Sequence, residues 1–160
     1  MNAATDSLDL ADSQVDRYVL FDVGTMRLAT PLLSIREIVD PIPCQYVANP
    51  YPAFIGLANL RGQIIGVIDS GICFGEDPVE HDKSRKLIVF DGLDTKLGLL
   101  VSEVHASLAI KTESIVKEPM IETAIPKAAL MGLVKLDRSI IPIVSLSELA
   151  KALPELGHAL

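Results

Sequence analysis

Two blocks of this chain recur further along it, each without a gap, and the recurrence limits the fold more than any single motif. At an offset of 69, Leu20-Phe21-Asp22 falls on Val89-Phe90-Asp91 and Arg27-Leu28-Ala29 on Lys96-Leu97-Gly98. At an offset of 76, Gly56-Leu57-Ala58-Asn59-Leu60 falls on Gly132-Leu133-Val134-Lys135-Leu136. The same offset lays Ile64-Ile65-Gly66-Val67-Ile68 on Ile140-Ile141-Pro142-Ile143-Val144. Apolar strands match one another by chance, but strands, turns and small residues matching together indicate duplication. The difference between the offsets is an insertion in the second half. Halves of ~65–75 residues are small for sheets that must hide their edges and bury a core. Two small barrels packed face to face meet both needs.

The rest of the chain is read against that division. Residues 1–16, with Asp6, Asp9, Asp12 and Asp16, form a polar tail. The ordered domain spans 17–153, with approximate halves 17–80 and 81–153 that may exchange strands, and 154–160 is a second tail. Tyr18–Val23 and Met26–Thr30 make a hairpin around Gly24-Thr25. Pro31 opens Leu32–Ile38, which can start as a helical turn and end extended. Pro41–Pro52, with four prolines, is a loop, and Ser70–Gly75 is a short helical turn. Lys86–Phe90, Lys96–Val101 and Val104–Ile110 are strands, and Glu113–Lys127 is irregular. Leu133–Leu136 and Ile140–Val144 flank a tight turn at Asp137-Arg138. Ser145 then caps a helix that ends at Leu153, with Glu148 placed for a capping box.

Hydrophobic residues make up 49 % of the 160, aromatics only 4 %, and Trp is absent, so the core is built from Ile, Leu and Val. The net charge of −7 argues against nucleic acid and against a polybasic membrane patch. No apolar run approaches the ~20 residues of a membrane span, and no basic, apolar leader is visible. Cys44 and Cys73 form no CxxC and read as small apolar fillers, in keeping with a cytoplasmic protein with reduced thiols.

Catalytic patterns are sparse. His81, His105 and His158 lack metal-ligand spacing with Cys, Asp or Glu, and each reads as a solvated side chain. Gly71-Ile72-Cys73-Phe74-Gly75 lacks the Lys and Ser/Thr of a phosphate loop, and there is no G-x-S-x-G elbow. Glu76-Asp77 and Glu80/Asp82 lie in a polar stretch with Lys83, Arg85 and Lys86 and read as solvated surface. Asp69 and Asp91 end strands, where carboxylates accept turn N–H groups. The expectation is no catalytic residue, no cofactor and no metal.

Ala53 to Asp69 carries the strongest local signal. Two apolar strands flank an Asn59-Leu60-Arg61-Gly62 corner, where Gly62 supplies the positive φ of a tight hairpin. Arg61 is a cation held on a corner, preorganised for carboxylates or peptide carbonyls. It could equally pair internally with an acid such as Asp69 or Glu37.

Phe54-Ile55-Gly56-Leu57-Ala58-Asn59-Leu60-Arg61-Gly62, followed by Ile68-Asp69, resembles the signature of the CheW family of bacterial chemotaxis coupling proteins. Ile35-Arg36-Glu37-Ile38, Leu97–Val101 and Gly132–Val144 match as well. Gly66, Ser70 and Ser102 depart from the usual Pro, Leu and Asp, and Met26–Thr30 is an unusual second strand. Gly66 also removes the φ restraint that Pro would supply.

The resemblance implies an all-β fold with a few short helices: two pseudo-symmetric, five-stranded SH3-like barrels packed together. It implies a non-catalytic signalling adaptor, cytoplasmic and working at membrane-attached receptor arrays of a chemotaxis or related chemosensory pathway. Its partners would be the cytoplasmic tip of a methyl-accepting chemoreceptor and the regulatory domain of a CheA-type histidine kinase. The receptor tip would lie in the groove between the barrels, on Ile35, Glu37, Gly56, Asn59, Leu60 and Arg61, with Ile35 and Leu60 giving apolar contact to a helix face and Glu37 and Arg61 polar register. Barrel ends would bind the kinase, at residues the resemblance does not place. Two other classes remain open. A small β-barrel ligand-binding or carrier domain would need an enclosed apolar pocket of ~300 Å³ or more. A hydrolase with a dispersed triad would need a Ser–His pair within hydrogen-bond reach.

Overall fold

The structure is a computed structural model, described for residues 14–117 and 122–158, with side chains to Leu153. The expected tail therefore lies almost wholly outside the described residues. Strand β1 (Val15–Val23) begins ahead of the apolar run, because Val15 and Asp16 pair with the far end of β9. It turns at Gly24-Thr25 into β2 (Met26–Pro31). A 3-10 turn at Leu32–Ser34 leads into β3 (Ile35–Val39), so this segment is helical first and extended after. Then come β4 (Cys44–Gln45), β5 (Phe54–Leu60), β6 (Gln63–Asp69) and the helical turn α1 (Ser70–Cys73). The second half repeats the order as β7 (Lys86–Asp91), β8 (Lys96–Val101), β9 (Glu103–Lys111), β10 (Ile115–Val116), β11 (Leu130–Leu136), β12 (Ser139–Val144) and α2 (Leu146–His158).

These strands form two sheets, ordered β10-β11-β12-β2-β1-β9 and β3-β7-β8-β6-β5-β4. Exchanging β1–β6 with β7–β12 turns the first order into the second, read backwards. The registers agree residue by residue. Asp22 faces Arg27 as Asp91 faces Lys96, and Phe54 faces Ile68 as Leu130 faces Val144. Both hairpins shift register at the next residue, before Gly56 and before Gly132. The duplication read from the sequence is therefore present in the hydrogen-bond ladders, and the all-β class with short helices holds.

Each sheet is a hybrid of the two halves. The β1–β2 hairpin joins β9–β12, and the β7–β8 hairpin joins β3–β6. The joints are parallel: Ile143 faces Ala29, and at the matching place Val67 faces Gly98. Each sheet has six strands where five per barrel were expected, because β4 and β10 add a two-residue edge. Both lie in stretches read as loops. Two residues carry no alternation, and these exist only by docking on β5 and β11. A glycine makes each docking possible: a Cβ at Gly56 would overlap the Gln45 carbonyl oxygen, and one at Gly132 would lie 2.8 Å from that of Val116.

Strand alternation sorts the apolar residues into three cores. Leu20, Ala29, Val134, Ile141 and Ile143 fill the first sheet. Their counterparts Val89, Ala58, Ile65 and Val67 fill the second. The other faces meet in a shared core around Phe21, Phe90, Leu28, Ile68, Ile88, Leu99 and Val144. Helix α2 covers that core with Leu146, Leu149, Ala150 and Leu153.

Ser145 does cap α2, its Oγ accepting from the Glu148 N–H at 3.3 Å, as Asp69 Oδ1 accepts from Ile72 at the matching turn of α1. The capping box stays half made. The Ser145 N–H already donates to the Ala129 carbonyl, and Glu148 turns to Lys151 at 3.1 Å. The helix does not stop at Leu153 but runs past Pro154 to His158, at the loss of one backbone donor. Gly66 leaves no slack in β6, because the Phe54 ring lies where its side chain would be, 2.6 Å from an added Cβ.

The matched glycines give a direct test of equivalence. Gly56→Ala and Gly132→Ala should each lose about 1–3 kcal/mol in urea unfolding, as overpacked sites do. A loss at one site alone would break the correspondence of the two edges.

Candidate functional site

The β5–β6 hairpin turns through two residues, Arg61 and Gly62, between the closing pair Leu60 and Gln63. Both central residues have positive φ, +52° and +85°, as a type I′ turn requires. Glycine adopts this backbone freely, whereas an L side chain such as arginine does so at a cost of about 1–2 kcal/mol. The Asn59 side-chain oxygen fastens the turn, accepting from the Gly62 N–H at 2.8 Å.

The Arg61 side chain is 71 % exposed, and its guanidinium donates to Glu37 Oε2 at 2.7 Å. Of the two acids considered as internal partners for Arg61, Glu37 is the one it meets, and the guanidinium stays largely exposed. Glu37 lies on β3, the opposite edge of the same sheet, with β7, β8 and β6 between. The pair can form only because the sheet curls back on itself, as an SH3-like barrel does. An ion pair this exposed contributes no more than ~0–1 kcal/mol. At the equivalent places in the other half stand Ala106 and Asp137, the latter with the same backbone at φ +54°. Neither the turn nor the curl of a sheet therefore needs this pair.

The other expected site residues separate by position. Ile35 starts β3 half-buried against the shared core. Asn59 is exposed but committed to the turn. Gly56 lies buried beneath β4. Leu60, expected to offer apolar contact to a helix face, is 8 % exposed and belongs to the core of the second sheet, because alternation along β5 turns it inward. Two exposed apolar side chains on the adjoining segments are ones the sequence reading passed over. Ile64 is 56 % exposed across the ladder from Asn59, and Leu33 is 98 % exposed in the turn before Ile35. The unbroken apolar run Ile64–Ile68 carries no alternation that would have marked Ile64 as outward.

A second polar cluster lies in the first sheet. Asp22 accepts from Arg27 Nε at 2.8 Å and pairs with His105 Nε2 at 2.8 Å. The same offset of 69 carries this pair onto Asp91 and Arg36, which form an ion pair in the second sheet. His105, read as solvated, is therefore half of a duplicated tie between β1 and β9. With Glu103 the cluster brings three metal-ligating groups within 4.8 Å of one another, although their spacing in sequence gives no such sign. Arg27 already occupies the Asp22 carboxylate, so the arrangement is a salt-bridged network. Burial pushes the Asp22 carboxyl up, but hydrogen bonds from Arg27 and His105 overcome it and hold the group below its usual range.

The remaining candidates for chemistry are committed to structure. Both oxygens of buried Asp69 accept from the Val79 N–H, at 3.2 and 3.1 Å, besides capping α1. Burial, with Asp69 nearby, pushes the Cys73 thiol up to about 12, far from a nucleophile at neutral pH.

Comparison with known proteins places this geometry. A family model described as "CheW-like domain" matches residues 17–153. A probable chemotaxis protein CheW of Rhizobium etli is 26 % identical, over 93 % of this chain and 94 % of its own. The chemotaxis protein CheW of Klebsiella aerogenes is 27 % identical, over 82 % of this chain and 80 % of its own. The crystal structure of the scaffolding protein TtCheW from Thermoanaerobacter tengcongensis superposes with a TM-score of 0.77 at 29 % identity, covering 85 % of this chain and 88 % of that one. Two packed β-sheet units of the SH3-like kind are thus the fold of this chain.

The lowered Asp22 pKa fixes a pH dependence. A carboxyl depressed on folding stabilises above its unfolded value and loses that contribution as pH falls through the folded one. Asp22→Asn should therefore melt below the parent at pH 7, and the gap between the two should close below about pH 4.

Proposed function

The chain belongs to the CheW-like family, and we propose that it is a coupling adaptor of a chemotaxis or related chemosensory array. The Arg61–Glu37 corner receives the helical cytoplasmic tip of a methyl-accepting chemoreceptor. A different surface holds the regulatory domain of a CheA-type histidine kinase. The chain acts by juxtaposing these two partners and carries out no reaction. No helix among the described residues is long and apolar enough to cross a membrane.

One observation carries this reading. Arg61 is kept on a strained backbone where glycine would be cheaper, is exposed, and is paired at a place where the duplicate half has Ala106 and Asp137. The turn's strain recurs at Asp137, but the exposed ion pair does not, and a half that folds without that pair supports a role for it outside folding. Glu37 holds the guanidinium extended until a partner carboxylate or helix carbonyl competes for it. Its own carboxylate then becomes free to accept from the partner. A hydrogen bond to a charged group contributes about 1.5–3 kcal/mol. Ile64 and Leu33 offer apolar contact beside this polar register, the part first given to Leu60.

Two substitutions test the assignment. Arg61→Glu should leave the melting curve within about 0.5 kcal/mol of the parent. Arg61→Gly should match or exceed parental stability by relieving the turn. Both should weaken binding to a receptor cytoplasmic fragment at least about tenfold, equivalent to ~1.4 kcal/mol. Binding to the kinase regulatory domain should be unchanged. Unfolding of both variants would make Arg61 structural, and unaltered receptor affinity would move the receptor surface elsewhere.

A further inference from the structure

The inside of the second sheet is not completely filled. A cavity of about 470 Å³ opens between the β3–β4 loop, α1 and the segment that follows it. Its walls are apolar, with Ile55, Val67, Leu87 and Leu100 from four different strands. The matching place in the first sheet has Tyr18, 6 % exposed, where the second has the smaller Leu87. The volume falls within the ~300–1,000 Å³ of small-ligand pockets.

The ionisable groups on its lining are Cys44, Asp69, His81 and Arg85. Asp69 is engaged by the N–H groups of Ile72 and Val79. Arg85 is different. It is half-buried at the cavity and makes no ion pair with any acid among the described residues. Its charge reaches Cys44 on the same lining: burial pushes the Cys44 thiol up and Arg85 draws it back down. An apolar chamber with a guanidinium that has no ion-pair partner, and with Asp69 already held by backbone N–H groups, matches a ligand with a hydrocarbon body and a single anionic head.

We propose that this cavity binds a small aliphatic monocarboxylate, with the chain among Ile55, Val67, Leu87 and Leu100 and the carboxylate on Arg85. The site is separate from the Arg61 corner, none of whose residues lines it. It adds a ligand to the adaptor, in an open cavity rather than the enclosed pocket of the ligand-binding reading.

Cys44 supplies the readout. It is exposed, whereas Cys73 is buried and its thiol is pushed up to about 12. Alkylation by iodoacetamide therefore reports on Cys44. Octanoate, below its micellar concentration, should slow that reaction at least fivefold at saturation, each protein being compared with its own unliganded rate. 1-Octanol, the uncharged twin, should need at least tenfold more for half-protection. Arg85→Gln should raise the half-protecting octanoate concentration at least tenfold and leave that of octanol unchanged. In Cys44→Ser, octanoate should still raise the melting temperature, because binding does not involve the thiol. Absence of both protection and thermal shift would overturn the site. Equal protection by octanoate and octanol, or indifference to Arg85→Gln, would overturn the carboxylate.

Discussion

The parallel pairing of β2 with β12, and of β6 with β8, is the joint on which the rest of the architecture depends. Each duplicated half gives away its first hairpin and receives its partner's. A half taken alone would expose β6 or β12 as an open edge and leave one face of its hairpin in water. The exchange settles both problems in a single arrangement, and the shared core of Phe21, Phe90, Ile68 and Val144 forms because the exchanged hairpins lie back to back. The small residues Ala29 and Gly98 at the joints belong to the same design. A Cβ at Gly98 would press on the Leu87 side chain at 2.8 Å.

A symmetric frame makes departures from symmetry informative. The carboxylate ties Asp22–His105 and Asp91–Arg36 are present in both sheets and serve the frame. Among the described residues the Arg61–Glu37 pair is present in one sheet only, and the cavity beside Arg85 lies where Leu87 replaces the larger Tyr18 of the other sheet. A folding requirement would press on both copies alike, because the backbones and registers match. Features that survive on one side alone are where a partner or ligand can have shaped the chain. The corner and the cavity share the β5–β6 hairpin, with Arg61 at its tip and Ile55 and Val67 on its inner face. One rigid element therefore presents both.

The sequence by itself determined the duplication, the four main hairpins, the class of core and the family. These are encoded locally: apolar alternation, turn residues such as Gly62, and matched offsets are visible without knowing what packs on what. Arg61 was legible for the same reason, since a cation on a two-residue turn has nowhere to be but outside. Tertiary structure alone decided which half completes which sheet, because the parallel joints pair residues whose local patterns are indistinguishable from any other strand. It decided that β4 and β10 exist, since two residues form a strand only when a glycine lets them approach. It turned Leu60 inward and left Ile64 outside, a matter of which face the curled sheet closes over. It also joined Asp22 to His105 and Arg61 to Glu37. An ion pair depends on through-space distance, and spacing along the chain carries none of that information until the strands are laid side by side.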